Sequence, residues 1–81
     1  MNKEIKIDGI WYRLDIDKQE AMVIKSQGDE YSNEIIIPSS FFFEGIIYRV
    51  TIIGEYAFEG CYHLYSIAIP DSVMSIYPHA F

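Results

Sequence analysis

Cys61 and His63 stand two positions apart, with Asp71 and His79 close behind, in a chain of 81 residues that has one cysteine and two histidines. A thiol beside an imidazole is the raw material of a nucleophile–base pair, provided the base is within hydrogen-bond reach and the setting favours the thiolate. C-x-H within a single turn matches no known protease arrangement. A buried structural thiol is the favoured reading, because free cysteine is among the most buried residue types. The four residues together could also be read as a metal set. Zinc wants three or four convergent ligands, usually in paired short spacings, and the sequence contains no C-x-x-C, H-x-x-x-H or H-E-x-x-H. No metal and no cofactor are therefore expected, and His79 is expected at the surface of a turn.

Two carboxylates across a scissile bond are the apparatus of glycoside hydrolysis. Asp15 and Asp17 are such a pair on paper, but they flank a predicted turn, where acids are ordinary solvated residues. Asp29-Glu30 is likewise a loop pair. Gly54 and Gly60 read as turn glycines and lack the spacing of a phosphate cradle. The sequence is expected to be no enzyme. What remains is aromatic: Phe41, Phe42 and Phe43 follow one another, and alternation along a strand forbids all three from facing one side. Either they cap a core from both faces or one ring is left for a partner, since aromatic residues anchor interfaces. Trp11 and Tyr12 admit the same two readings, with core packing ahead.

The elements that hold these residues are strands. Aromatic residues make up 16% of the chain, and rings suit a pleated surface better than a helix. Hydrophobic residues are 51% and charged residues 22%, a globular balance that leaves disorder aside. The net charge is −6, and from residue 50 onward there is no Lys or Arg, only Glu55, Glu59 and Asp71. Nucleic acid requires a basic footprint, so it is excluded as a partner, and an anionic membrane surface is disfavoured for the same reason. No apolar run approaches the ~20 residues of a membrane-spanning helix, and the start, MNKEIKIDG, carries no signal-peptide pattern. The compartment stays open.

IWYRLDID, a turn at Asp17-Lys18 and EAMVIK read as one β-hairpin. SQGDEYSN reads as a loop. EIIIPSS ends a strand at Pro38, and FFFEGIIYRV turns back on itself at Glu44-Gly45. From Val50 a phrase repeats: Val50, Ile53, Ala57 and Phe58 recur as Val73, Ile76, Ala80 and Phe81, a constant offset of 23 residues. EIIIPSS (34–40) is echoed by SIAIPDS (66–72) at an offset of 32, which is the same period lengthened by the nine residues of the FFFEGIIYR hairpin. A period in the twenties marks a stacked solenoid. Each unit must bury its apolar face on a neighbour.

VTIIGEYAFEGCYHLYSIAIPDSV closely resembles the repeat of the BspA-like leucine-rich repeat proteins, V-x-x-I-G-x-x-A-F-x-x-C-x-x-L-x-x-I-x-I-P-x-S-V. The match runs through Val50, Ile53, Gly54, Ala57, Phe58, Cys61, Leu64, Ile67, Ile69, Pro70, Ser72 and Val73. It covers roughly residues 34–81, with a weaker likeness in the opening hairpin. In the last unit Tyr77 replaces the glycine and His79 the tyrosine of the unit before. The resemblance implies a right-handed solenoid with one parallel strand per turn, in bacterial, usually cell-surface or secreted, proteins of adhesion, with no enzymatic activity.

The expected fold is mainly β: a two-hairpin N-terminal cap over residues 1–49 leading into a short leucine-rich repeat solenoid over 50–81 whose last unit is incomplete. Helix is limited to a single turn around Glu55 to Gly60. The core is placed at Ile35, Ile37, Val50, Ile53, Ala57, Phe58, Cys61, Leu64, Ile67, Ile69, Val73 and Ile76, with Ser66 and Ala68 pointing out. Protein recognition or adhesion is the expected function, and assembly through the open solenoid end is its rival. Phe41, Phe42, Phe43, Val73, Ile76, Ala80 and Phe81 are the candidate interface, with a homodimer as the expected assembly.

Overall fold

The computed structural model describes residues 2–81, and every regular element among them is a strand. In order these are β1 (Asn2–Ile7), β2 (Ile10–Asp15), β3 (Glu20–Val23), β4 (Asn33–Ile36), β5 (Ser40–Phe43), β6 (Ile46–Ile53), β7 (Leu64–Ala68) and β8 (Ser75–Ile76). The mainly β character follows from the alternation of branched and aromatic residues with polar ones.

Local turn chemistry explains the hairpins. Between β5 and β6, Glu44 and Gly45 have φ of 48° and 84°, the left-handed pair of a type I′ turn, whose twist matches that of the flanking strands. Asp8 and Gly9, at 49° and 84°, make the same turn between β1 and β2. Between β2 and β3 the Asp15 carboxylate accepts the Lys18 backbone N–H at 3.1 Å, fixing the turn seen in the sequence. The opening region thus holds one more hairpin than the sequence reading gave it. The Asp8-Gly9 dipeptide was its signal.

Parallel pairing builds the rest. One six-stranded sheet runs β1-β2-β3-β6-β5, with β8 also on β6, and β4 and β7 form a second, two-stranded sheet. β3 pairs parallel with β6 (Val23 opposite Ile53), β6 with β8 (Ile53 opposite Ile76) and β4 with β7 (Ile35 opposite Ile67). Parallel neighbours need a crossover, and here the crossover from β3 to β6 carries β4 while that from β6 to β8 carries β7. The chain therefore winds as a coil: β3 and β4 in the first turn, β6 and β7 in the second, β8 opening the third. The offsets of 23 and 32 residues are the registers of the two strand stacks. The hairpin that separates them leaves and rejoins the coil at Ser40 opposite Arg49.

Backbone bonds sew turn to turn outside the ladders. Gly54 N–H donates to the Val23 carbonyl (2.8 Å), Tyr77 N–H to Ile53 (2.9 Å), Phe58 N–H to Ala80 (2.7 Å) and Asn33 N–H to His63 (2.8 Å). At Gly54 a Cβ would stand 2.7 Å from Met22 Sδ and 2.9 Å from the Val23 carbonyl oxygen. This glycine is a close-approach residue, which its reading as a turn glycine did not capture. The core lies under the six-stranded sheet, where Tyr12, Leu14, Val23, Val50 and Ile53 are fully buried, each stabilising by about 1.5–3 kcal/mol before entropy. Lys3 Nζ reaches Glu44 Oε1 at 3.3 Å and lies 5.4 Å from the Phe43 ring centroid, so the sheet curls until β1 approaches the β5–β6 turn.

Three expectations are corrected. No helical turn forms at Glu55 to Gly60. Three successive turns close through Ala57, Glu59 and Cys61 N–H onto the carbonyls of Gly54, Tyr56 and Phe58. Tyr56 and Gly60 sit at φ of 62° and 76°, which breaks any helix. Ile69 and Ile76, expected inside, are 40% and 51% exposed because no further turn covers them. Ser66, expected outside, is half-buried, since the β4–β7 register slips past Tyr65 and reverses the facing there.

Candidate functional site

Each residue considered for chemistry has a definite place. Cys61 is a free, half-buried thiol whose pKa burial pushes up, the wrong direction for a nucleophile. His63 is exposed, and its backbone carbonyl serves the Asn33 N–H. His79 is exposed and stacks on Tyr56, ring centroids 5.5 Å apart and nearly parallel at 9°. Among the described residues no group of three or more His, Cys, Asp or Glu is placed to hold a metal ion. Asp15 is spent on its turn, and no helix is long and apolar enough to cross a membrane.

The Phe triplet divides. Phe41 is half-buried between Tyr12 (4.5 Å between centroids) and Tyr48 (5.8 Å), and Phe43 is half-buried against the core. Phe42 points outward beside Ile47, its partner across the β5–β6 ladder, and both are largely exposed. Of the seven candidate interface residues, Phe41 and Phe43 thus belong chiefly to the chain's own packing. Ala80 is buried within the third turn under the Phe58 N–H bond, which removes it from any contact surface. Val73 is half-buried, leaving Phe42, Ile76 and Phe81 as the members that face solvent.

A second constellation escaped the sequence reading. Tyr31, Phe58 and Phe81 stack in series, with centroid distances of 5.0 Å and 5.6 Å, one ring per turn. Tyr31 Oη accepts the Trp11 backbone N–H at 2.9 Å and donates to the Ile24 carbonyl at 2.8 Å. Burial pushes its hydroxyl up to about 12, and burial likewise raises that of Tyr12. The polar run SQGDEYSN concealed Tyr31. Its signal was an aromatic ahead of a strand that echoes the one after Phe58.

The stack ends in the open. β7 has no strand partner on its side away from β4 among the described residues. Phe58, Cys61, Leu64, Ile67 and Phe81 floor a shallow groove of about 310 Å³ there, with Tyr65 and Ser66 beside them. Phe81 is 59% exposed. Near by on the coil, Tyr62 and Tyr65 are 91% and 78% exposed. A second hollow of about 400 Å³ is lined by Glu4, Arg13, Gln27, Tyr56 and Tyr77 among others. Within it Arg13 Nη2 meets Glu4 at 2.8 Å, and this guanidinium, with the Gln27 amide, holds the Glu4 carboxyl below its ordinary range.

This geometry is similar to that of a solved structure described as a leucine-rich cell surface protein from Faecalibacterium prausnitzii A2-165. The two share 31% sequence identity at a TM-score of 0.71, over 91% of this chain and 19% of that one. The present chain thus spans about a fifth of that protein's length. No family model matches the chain, and no curated protein does. The likeness establishes a leucine-rich-repeat-type relationship for this mainly β coil.

Proposed function

We propose that the chain is a non-enzymatic protein-recognition or adhesion scaffold of the BspA-like leucine-rich repeat type, working at a bacterial cell surface. Residues 1–49 act in this reading as the cap and 50–81 as the repeat units. The observation that carries it is the pairing of a repeat coil with large rings that have no packing role, Tyr62 and Tyr65 on the coil and Phe42 on the hairpin. Exposed aromatics on a rigid repeat are the usual anchors of a protein interface. The described similarity to a cell-surface protein supports the location. The test is attachment of protein-coated beads to a panel of immobilised extracellular proteins, with Tyr62→Ser/Tyr65→Ser as the comparison. Binding above albumin-coated beads, lost in the variant at unchanged circular dichroism, supports the reading. No excess over albumin on any surface refutes it.

A second reading has its own support. Ile69, Ile76 and Phe81 are exposed at an end whose strand edges are unpaired, and free edges template association. Self-assembly through that end, as a homodimer, makes the mass in light scattering rise with concentration. Ile76→Ser/Phe81→Ser then abolishes the rise. A constant monomer mass removes this reading.

A further inference from the structure

The open end carries two kinds of information, and together they specify a partner. The first is shape. Phe58, Leu64, Ile67 and Phe81 form an apolar floor beside the unpaired edge of β7, a place where an extended chain can gain backbone hydrogen bonds and bury side chains together.

The second is charge. Five of the six bases, Lys3, Lys6, Arg13, Lys18 and Lys25, precede residue 34, and the sixth, Arg49, lies on the inserted hairpin. The last full turn and the beginning of the third carry Glu55, Glu59 and Asp71 and no base at all. All three carboxylates are exposed and, among the described residues, none is engaged in an ion pair. The same stretch exposes Tyr56, Tyr62, Tyr65 and Tyr77. Tyrosine faces attract ammonium and guanidinium groups, and a one-signed field steers ligands of the opposite sign.

We propose that the open end of the coil is a docking site for a cationic polypeptide: an extended Lys- or Arg-bearing strand that adds to the free edge of β7 while its cations meet the surrounding carboxylates and tyrosines. This rests on the protein-recognition reading and names the partner class. A second copy is the poorer occupant. It brings a net charge of −6 and the same base-free end, so like charges face each other across the contact.

The experiment uses the 81-residue chain and three short peptides that alternate valine with lysine, glutamate or threonine, titrated by calorimetry. The lysine peptide is expected to bind, and its affinity to fall about tenfold or more between about 50 and 500 mM salt as screening grows. The variant Glu55→Gln/Glu59→Gln/Asp71→Asn removes exposed charge without touching the core. It is expected to weaken the lysine peptide about tenfold at low salt with an unchanged circular dichroism spectrum. Three results overturn the proposal and separate its fate from that of the recognition reading. Equal binding of the threonine peptide means that the end accepts a strand without regard to charge, and recognition stands. No peptide binding together with a doubled mass means that a second copy holds the end. No binding by a protein that stays monomeric means that this end docks nothing, and recognition then depends on the bead experiment alone.

Discussion

The two ends of the coil are built from the same kinds of residue and finished in opposite ways. At the capped end, the sheet formed by β1, β2 and β3 with the β5–β6 hairpin closes over Leu14, Val23, Val50 and Ile53, none of which retains measurable exposure. At the other end, β7 and β8 present Ile69 and Ile76 half to solvent, although Ile76 sits in register with fully buried Ile53. The difference teaches that in a stacked repeat a position is not intrinsically core. It becomes core when the next turn arrives, and apolar identity records a demand for a neighbour rather than its presence.

That contrast can be broken in order of expected size. Leu14→Ala, at the capped end, is expected to cost about 2–5 kcal/mol through lost burial and a residual cavity, a large share of the stability of so short a chain. Urea unfolding checks it, and a loss below about 1 kcal/mol shows that the cap is not the stable pole. Gly54→Ala lies at the seam between the first two turns. Its Cβ runs into Met22 and the Val23 carbonyl, and overpacking of about 1–3 kcal/mol is expected. Met22→Ala added to it should recover only part of the lost melting temperature, because the carbonyl cannot move aside without the β3–β6 ladder.

Tyr31→Phe keeps the ring in its stack and removes the hydroxyl that joins Trp11 to Ile24, with an expected loss of about 1–3 kcal/mol. The same hydroxyl gives a pH signature. Its folded pKa of about 12 lies above the ordinary tyrosine value, which is about 10. The stabilisation is therefore complete below about pH 10 and is lost as pH rises through 12. Urea midpoints at neutral and strongly alkaline pH should fall further for the wild type than for Tyr31→Phe, with buried Tyr12 contributing in the same direction to both. The smallest expectation belongs to the open end: Ile76→Ser should alter stability by no more than about 0.5 kcal/mol. A larger loss in thermal unfolding would mean that the third turn already shares in the core.

The coil itself was legible in the sequence. The echo of Val50 to Phe58 in Val73 to Phe81, and of EIIIPSS in SIAIPDS, fixed both registers, because parallel stacking requires equal spacing between turns. The start of the coil was not legible. β3 occupies the first place in the stack, but EAMVIK shares too few residues with VTIIGE for its echo to register, and Tyr31 replaces the expected phenylalanine inside a polar loop. The surface was legible only in part. Phe42 could be singled out by alternation, whereas the exposure of Ile69 and Ile76 depends on a neighbour that no local pattern describes. The bulge at Tyr65 arises from pairing between distant strands, and a sequence window does not contain it.

The hairpin from Phe41 to Arg49 enters and leaves the coil across a single pair, Ser40 opposite Arg49. To the winding path those nine residues amount to one step, so the length of the excursion is decoupled from the phase of the turns on either side. Closing a longer loop costs only about 0.6 kcal/mol per doubling. This corner is therefore a natural graft point, where a foreign hairpin or a recognition loop can be exchanged while the stacks above and below keep count.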